Sequence, residues 1–372
     1  MVEFIGGMSM KNNQKNAGIT NNILLETSDE SINKEVILSR QKDFESIRDN
    51  LSGHLKVSTQ DVLLAEGDSL ELLQSLPDHS VSLILTDPPY HSTKKDNIHG
   101  DKAFKNDSEY IEWLSKYSKE WHRILKPNGS LFCFCSSKLA ARLEVELSKK
   151  FNILNQIVWS KPNDPGFDGW KQKMKKEALR QWYPHSERVI FAEPAYEGNL
   201  FRSYFGNVLR DLRKKAGFTM KLLCEKTGTY GRVNHGGAAS NWEAGRNTPS
   251  SEQYEKISNA LLTSENINNV PYYEDLIRPF KTNGSCQFTD VWDFPSVRPY
   301  KNKHPAEKPI ELLEYAIKTT TYEGDIVLDC FSGSGNAAIA SLNHNRLAVA
   351  IEIDPKWVGI SQKNIEIFNK KH

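Results

Sequence analysis

Two short segments hold residue types that could do chemistry together. The first is Asp87-Pro88-Pro89-Tyr90, directly after the apolar run VSLILT. Adjacent prolines stiffen the backbone into a rigid loop, and α/β sheets gather ligands where their strands end. Such a loop suits activation of an amino group on an aromatic ring, whose nitrogen lone pair is delocalised and must be drawn toward tetrahedral geometry before it attacks. Asp87 can accept one amino hydrogen and the Pro88 carbonyl the other, aiming the lone pair at a methyl sulfonium while Tyr90 stacks on the ring. Pro-Pro alone would merely end a strand. The flanking Asp and Tyr, and a second segment to complete the site, carry the catalytic reading.

That second segment is DIVLDCFSGSGNAAIA, where a strand runs to Phe331 and Gly333 and Gly335 let the backbone turn closely before a helix begins. A helix N-terminus and the loop amides would then face a ligand. Glu352, seventeen residues beyond Gly335 in LAVAIEID, is placed to grip ribose hydroxyls at the end of the next strand. The third glycine of a dinucleotide fingerprint is missing, which fits a cofactor with one nucleoside and no pyrophosphate. Asp68, in the turn AEGDSL, is a further candidate for the cofactor, or a helix cap. The segment His304-Pro305-Ala306-Glu307-Lys308-Pro309 leads into a helix, with Pro309 suited to its first turn.

The elements that must position these loops alternate. The runs 62–66, 81–86, 130–135, 153–159 and 188–192 read as strands, as do DIVLDCF and LAVAIEI near the end of the chain. Helical spacing marks 31–51, 108–125, 138–150, 310–321, 335–344 and 355–371, with the second of these stopping at the turn signal Lys126-Pro127-Asn128-Gly129. This predicts an α/β fold with a parallel sheet. With 372 residues, a smaller second unit is expected, and a wholly helical stretch from about residue 203 to 262 supplies it. The expected divisions are a polar, partly disordered or helical extension (1–55), a catalytic half (56–200), a helical insertion (201–265) and a cofactor-binding half (266–372).

Composition narrows the class. Hydrophobic residues make up 38% and charged residues 26%, ordinary for a globular protein. No apolar run reaches the roughly eighteen residues of a membrane span, and the N-terminus lacks the pattern of a secretory signal; a cytoplasmic protein is expected. Five scattered cysteines without a Cys-x-x-Cys pair argue against a disulfide framework and a zinc site, and no metal is expected. The net charge of +1 says little, because a nucleic-acid binder can confine its basic residues to one face.

The order of the motifs, DPPY (87–90), then HPAEKP (304–309), FSGSG (331–335) and IEID (351–354), resembles the permuted β group of bacterial DNA amino-methyltransferases. The resemblance covers roughly 61–192 and 300–370. It implies a Rossmann-like, seven-stranded, circularly permuted sheet and S-adenosylmethionine as cofactor. His304, Lys308 and Pro309, together with Asp329, Phe331, Ser332, Gly333, Gly335, Asn336 and Glu352, would hold that cofactor. Asn336 departs from the Thr more common in the family. The DPPY loop would receive a base flipped out of duplex DNA. Asp before Pro-Pro-Tyr, rather than Ser, leans within the family toward adenine N6 over cytosine N4.

Residues 203–262 carry nine Lys and Arg against five Asp and Glu. The sequence there resembles phage-repressor helix-turn-helix domains, with Ser240, Trp242, Glu243, Gly245, Pro249 and Ser250 carrying the likeness. Its third helix would enter the major groove, with Arg232, Asn234, His235, Ser240, Asn241 and Arg246 as candidate contacts, although the preceding turn is longer than usual. A basic passage with interleaved aromatics supplies Lys171, Lys173, Lys175 and Arg180 as further candidates. His185 and Glu187 would border the base pocket. Double-stranded DNA, and a cognate restriction endonuclease, are the expected partners, with monomer and homodimer both open. Cytosine-N4 methylation, a DNA-binding regulator with secondary methyltransferase activity, and an RNA or small-molecule amine substrate are the competing readings.

Overall fold

The computed structural model describes residues 34–90, 104–162, 177, 180, 182, 185–195, 203–231, 237–282, 288–301 and 303–371. The seven apolar runs form seven strands: β2 (Val62–Glu66), β3 (Val81–Thr86), β4 (Leu125–Cys135), β5 (Phe151–Ser160), β6 (Ser186–Pro194), β8 (Ile326–Asp329) and β9 (Leu347–Glu352). Among the described residues the sheet nevertheless has nine strands rather than seven, in the order β1-β2-β9-β8-β3-β4-β6-β5-β7. Its extra strands are β1 (Leu55–Ser58) and β7 (Val291–Asp293) at the two edges. Each covers only one neighbour, and each is too short to mark itself by periodicity.

Strands β2, β9, β8, β3 and β4 run parallel, whereas β6 is antiparallel to both β4 and β5. Helices fill both faces because a parallel sheet is apolar on each side. On one face, Phe44, Ile47 and Leu51 of α1 (Lys34–Leu51), Leu72 and Leu73 of α2 (Ser69–Ser75), Leu114, Tyr117 and Trp121 of α3 (Asp107–Ile124) and Leu143 and Leu147 of α4 (Ala140–Leu147) pack with Val81, Ile84 and Leu131. On the other, Leu312, Leu313 and Ala316 of α10 (Ile310–Thr320) and Ala337 and Ala340 of α11 (Asn336–Leu342) meet Leu83, Leu85 and Phe132. The terminal helix α12 (Pro355–Asn369) adds Val358 and Ile365 against Val62 and Ala348.

Helix α3 ends at Ile124, two residues before the turn signal at 126–129, and the chain enters β4 at once. Val81 pairs with Leu125 but Leu83 with Ser130, so Lys126–Gly129 is accommodated as a bulge within the strand. Four helices, α5 (Tyr204–Lys215), α6 (Met220–Thr227), α7 (Ala238–Glu243) and α8 (Ser251–Leu262), occupy the stretch read as helical. They share a core of Phe205, Leu209, Leu223, Trp242, Ile257 and Leu261 that also takes in Ile267 and, from α9 (Tyr273–Leu276) and its cap, Leu276 and Ile277. Arg213 of α5 forms a two-pronged ion pair with Glu243 of α7, both nearly buried.

Candidate active site

Topology brings the chemical residues to one edge of the sheet. Parallel neighbours β3 and β8 are in register at Leu83↔Val327 and Ile84↔Leu328, so the loops that follow them, Asp87–Tyr90 and Cys330–Gly335, leave side by side. Because β6 runs against β5, its first residues come to where β5 ends, with Trp159 opposite Glu187 and Ser160 opposite Ser186. Lys161, just past β5, and Glu187 therefore join the same edge. Lys308, before α10, reaches it from the helical layer.

These residues form a buried charge network. The Lys308 ammonium pairs with Asp87 Oδ2, lies 3.4 Å from Glu187 Oε2 and donates to the Ala306 carbonyl at 3.2 Å. It also lies 5.2 Å from the Tyr90 and Phe134 ring centres and 5.9 Å from that of Trp159, within cation–π range. Lys161 pairs with the other oxygen of Glu187, and the Tyr90 hydroxyl donates to Glu187 Oε2 at 2.9 Å.

Burial alone would push the Glu187 carboxyl up, but the ammonium groups of Lys308 and Lys161 outweigh it and hold it down at about 2. Asp87 is raised, first by burial and then by the Glu187 charge, with Lys308 opposing. Lys308 keeps its proton against burial because two carboxylates face it. Burial and the same carboxylates also keep the Tyr90 phenol neutral. Among the described residues no donor meets hydrogen-bond geometry at the buried Asp87 Oδ1, although the Tyr90 hydroxyl also acts on this carboxylate. A carboxylate oxygen shut from water without a donor costs free energy, so this atom is disposed to receive one.

The glycine loop is held just as tightly. Gly333 and Gly335 adopt φ of 51° and 84°, where a side chain is strained. A Cβ on Gly335 would clash with Ser361 Oγ, and one on Gly333 would stand 3.3 Å from the His304 ring. Glu352 accepts from the Gly333 amide at 2.7 Å and from the Ile353 and Asp354 amides at 3.0 and 2.9 Å. Its carboxylate thus organises the loop from the end of β9. Burial raises Asp329 to about 7 although it accepts from the Phe331 amide at 3.1 Å. Ser332 Oγ is buried without a hydrogen-bond partner among the described residues. A small cleft joins the two loops, lined among others by Asp87, His304, Lys308, Asp329, Ser332 and Gly333. Its narrow glycine backbone and its two orphaned oxygens, on Asp87 and Ser332, fit a polar ligand that lies across both loops.

The leader to α10 closes this cleft. His304 packs edge-on to Trp357, ring centres 4.4 Å apart, and its Nδ1 accepts from the Ala306 amide at 3.3 Å. Burial and then Lys308 lower it to about 4, so the imidazole is neutral. Asn336 donates to the Lys308 carbonyl at 3.0 Å, tying α11 to this leader, and Pro309 caps α10. Phe331 turns away from the strand into an aromatic group with Trp113 and Tyr117 of α3, at 5.8 and 5.2 Å.

Lys308, expected at the cofactor, thus has its ammonium on Asp87. Asp68 is exposed and caps α2, accepting from the Leu70 and Glu71 amides at 2.8 and 3.3 Å. Gly67, beside it, donates to the Glu352 carbonyl at 3.0 Å, which keeps this turn next to the glycine loop. Ser240 and Asn241 lie on α7, with Arg246 just beyond it donating to Asn241 at 3.2 Å. Arg180 is exposed. Lys171, Lys173, Lys175, Arg232, Asn234 and His235 fall outside the described residues. Lys161 has no part in the sequence reading, although it directly follows an apolar strand, the same signal that marks Asp87.

The α/β sheet thus sets a carboxylate loop and a glycine loop side by side at its carboxyl edge. The sequence pattern of the N6/N4 methylase family, described as DNA methylase, matches residues 81–363, and the chain belongs to that family: it is a DNA amino-methyltransferase. Among curated relatives it is 28% identical over 327 residues to the type II methyltransferase M.BglI of Bacillus subtilis, covering 82% of this chain and 85% of that one. It is 25% identical over 313 residues to the DNA adenine methyltransferase YhdJ of Escherichia coli K12, covering 82% of each. Among solved structures, the cytosine-N4-specific PvuII DNA methyltransferase aligns with 85% of this chain and 94% of its own at 18% identity and a TM-score of 0.49. Among the described residues, no helix is long and apolar enough to cross a membrane.

Proposed function

We propose that this methyltransferase transfers a methyl group from S-adenosylmethionine to the N6 amino group of adenine flipped out of duplex DNA. The observation that carries the reading is the buried Oδ1 of Asp87, which has no well-formed hydrogen bond among the described residues and lies close to Tyr90. One amino N–H of a base stacked on Tyr90 would satisfy that oxygen, and the Pro88 carbonyl would take the other. Bound S-adenosylmethionine supplies an electrophilic methyl carbon whose bond to sulfur breaks with the electron pair remaining on sulfur. The amino nitrogen forms its bond to that carbon and loses one proton, which Asp87, raised by burial, is suited to take up. Gly333, Gly335, Ser332 and Asn336 would hold the cofactor, with Glu352 bracing the loop amides, His304 packing on the loop and Asp329 beneath it. An adenine target is supported by Asp at position 87, where Ser marks the cytosine lean, and by the relative named as a DNA adenine methyltransferase.

The order DPPY, HPAEKP, FSGSG along the chain supports a circularly permuted catalytic domain, with 56–200 as its catalytic half and 266–372 as its cofactor-binding half. The α5–α8 unit is a helix-turn-helix insertion that takes part in target recognition, supported by its basic balance and by the repressor-like residues of α7. The type II methyltransferases among the relatives support a restriction-modification setting with a cognate endonuclease. The direct test is to incubate unmethylated genomic DNA with the protein and isotopically labelled S-adenosylmethionine, digest to nucleosides and identify the labelled product by mass. Labelled N6-methyladenine is expected, and labelled N4-methylcytosine would overturn the adenine assignment.

A further inference from the structure

Glu187 sits at the start of β6, opposite Trp159 in the register, so its side chain shares the face of the sheet on which Lys308 and α10 lie. Both its oxygens are occupied. One takes Lys161, and the other takes the Tyr90 hydroxyl and faces Lys308. Lys308 in turn holds one oxygen of Asp87 and leaves the other open. A single carboxylate therefore orients the aromatic ring on which a base would rest and the cation that occupies half of the acceptor. Lys161 is itself anchored: its ammonium lies 4.5 Å over the Trp159 ring and its amide donates to the His185 carbonyl at 3.2 Å.

Resting on the methyl-transfer reading above, we infer that Glu187 is a positioning residue for the amino group: it fixes Tyr90 and Lys308 so that Asp87 presents one free oxygen, with Lys161 as its counter-charge. A carboxylate is needed for this rather than any hydrogen-bond acceptor. With Glu187 neutral, Lys308 keeps only Asp87 as a charged partner and closes on it, and the carboxylate meant for the base becomes a better-satisfied, weaker proton acceptor. Among the described residues, the titratable groups that bear on Asp87 are Lys308 from the leader to α10 and Glu187 from β6, with His304 lining the same cleft. Lys161 acts on it through Glu187 from the end of β5, while Cys133 and Cys135 bear on it from β4, Asp329 from the end of β8 and Tyr90 from its own loop. Of these, Glu187 and Lys161 are the two whose removal changes the charge near Asp87 in opposite senses without touching the glycine loop.

That opposition makes the test specific. Asp87 must be ionised to accept, so the rate rises with pH through its pKa. Glu187→Gln removes a like charge and lets Lys308 pair with Asp87 alone, and the acidic limb of kcat should move to lower pH by about one unit. Lys161→Met leaves the Glu187 charge uncompensated, and the limb should move to higher pH. Glu187→Gln should also lower kcat at the plateau by about 10- to 100-fold, as misplacement of reacting groups does. The affinity for S-adenosylmethionine, measured calorimetrically on the full chain without DNA, should change less than about twofold, since no contact of the glycine loop is altered.

The assay is tritiated methyl incorporation into unmethylated genomic DNA from pH 5 to 9 for wild type, Glu187→Gln, Lys161→Met and Glu187→Ala, with thermal melts confirming that each folds. Glu187→Gln preserves size and an acceptor for Tyr90, so it carries the test if Glu187→Ala does not fold. Limbs that stay together, or that move the same way, overturn the positioning role. So does a fall in cofactor affinity that matches the fall in kcat, which would mark Glu187 as part of the scaffold. If wild type itself transfers no methyl group to DNA, the methyl-transfer reading fails instead.

Discussion

Gly335→Ala is the substitution for which the structure sets the terms most narrowly. Gly335 has φ of 84°, and a Cβ built there clashes with Ser361 Oγ and meets Ser361 Cβ at 3.2 Å. The left-handed backbone costs an alanine about 1–2 kcal/mol, and forcing a methyl into a packed contact costs about 1–3 kcal/mol more, so a loss of about 2–5 kcal/mol is expected. The two parts can be separated. Ser361 is buried and its hydroxyl has no hydrogen-bond partner among the described residues, so Ser361→Ala alone should be nearly neutral. In that background the hydroxyl clash is gone and the backbone cost stays. Urea unfolding of wild type, both single variants and the double variant gives the coupling energy. Gly335→Ala should cost at least about 1 kcal/mol less when Ser361 is alanine. An equal penalty in both backgrounds would show that contact with Ser361 is not why this position is glycine.

Two further expectations concern buried charge. Asp329 has its carboxyl raised to about 7 from an ordinary 3.8, chiefly by burial; the group therefore costs no stability below its unfolded pKa, destabilises the fold increasingly between that value and about 7, and holds its full cost above. Asp329→Asn should therefore raise the melting temperature more at pH 8 than at pH 5, and an equal change at both would refute the assignment. Glu243→Ala would leave the Arg213 guanidinium buried without its carboxylate, a loss of about 3–5 kcal/mol. Hydrogen exchange should report it as faster opening of α5–α8, with calorimetric binding of S-adenosylmethionine retained; loss of that binding would show that the helical unit and the glycine loop are not energetically separate.

The parts of the site legible in the sequence are those where the backbone dictates the residue. Pro88 and Pro89 stiffen a loop, and Gly333 and Gly335 take torsions that other residues avoid; both follow apolar strands that periodicity identifies. The charge network was less visible. Glu187 borders the pocket in the sequence reading, but its link to Lys161 depends on antiparallel pairing of β5 with β6, which spacing along the chain does not reveal. For Lys308 the motif indicated the neighbourhood, while only the packing of the leader to α10 directs its ammonium to Asp87. Asp68 met the usual fate of an aspartate before a helix, capping α2. At the sheet edges, β1 alternates half-buried and exposed residues, and β7 buries only Trp292, leaving too little apolar signal to separate either from a loop.

The central claim is that Asp87 accepts the amino group of a flipped adenine, and nucleoside mass analysis of DNA treated with wild type and with Asp87→Ala tests it most directly. The account predicts N6-methyladenine from wild type and a loss of at least about 100-fold with Asp87→Ala, while calorimetric affinity for S-adenosylmethionine persists. Undiminished N6-methyladenine from Asp87→Ala, or N4-methylcytosine from wild type, would contradict it.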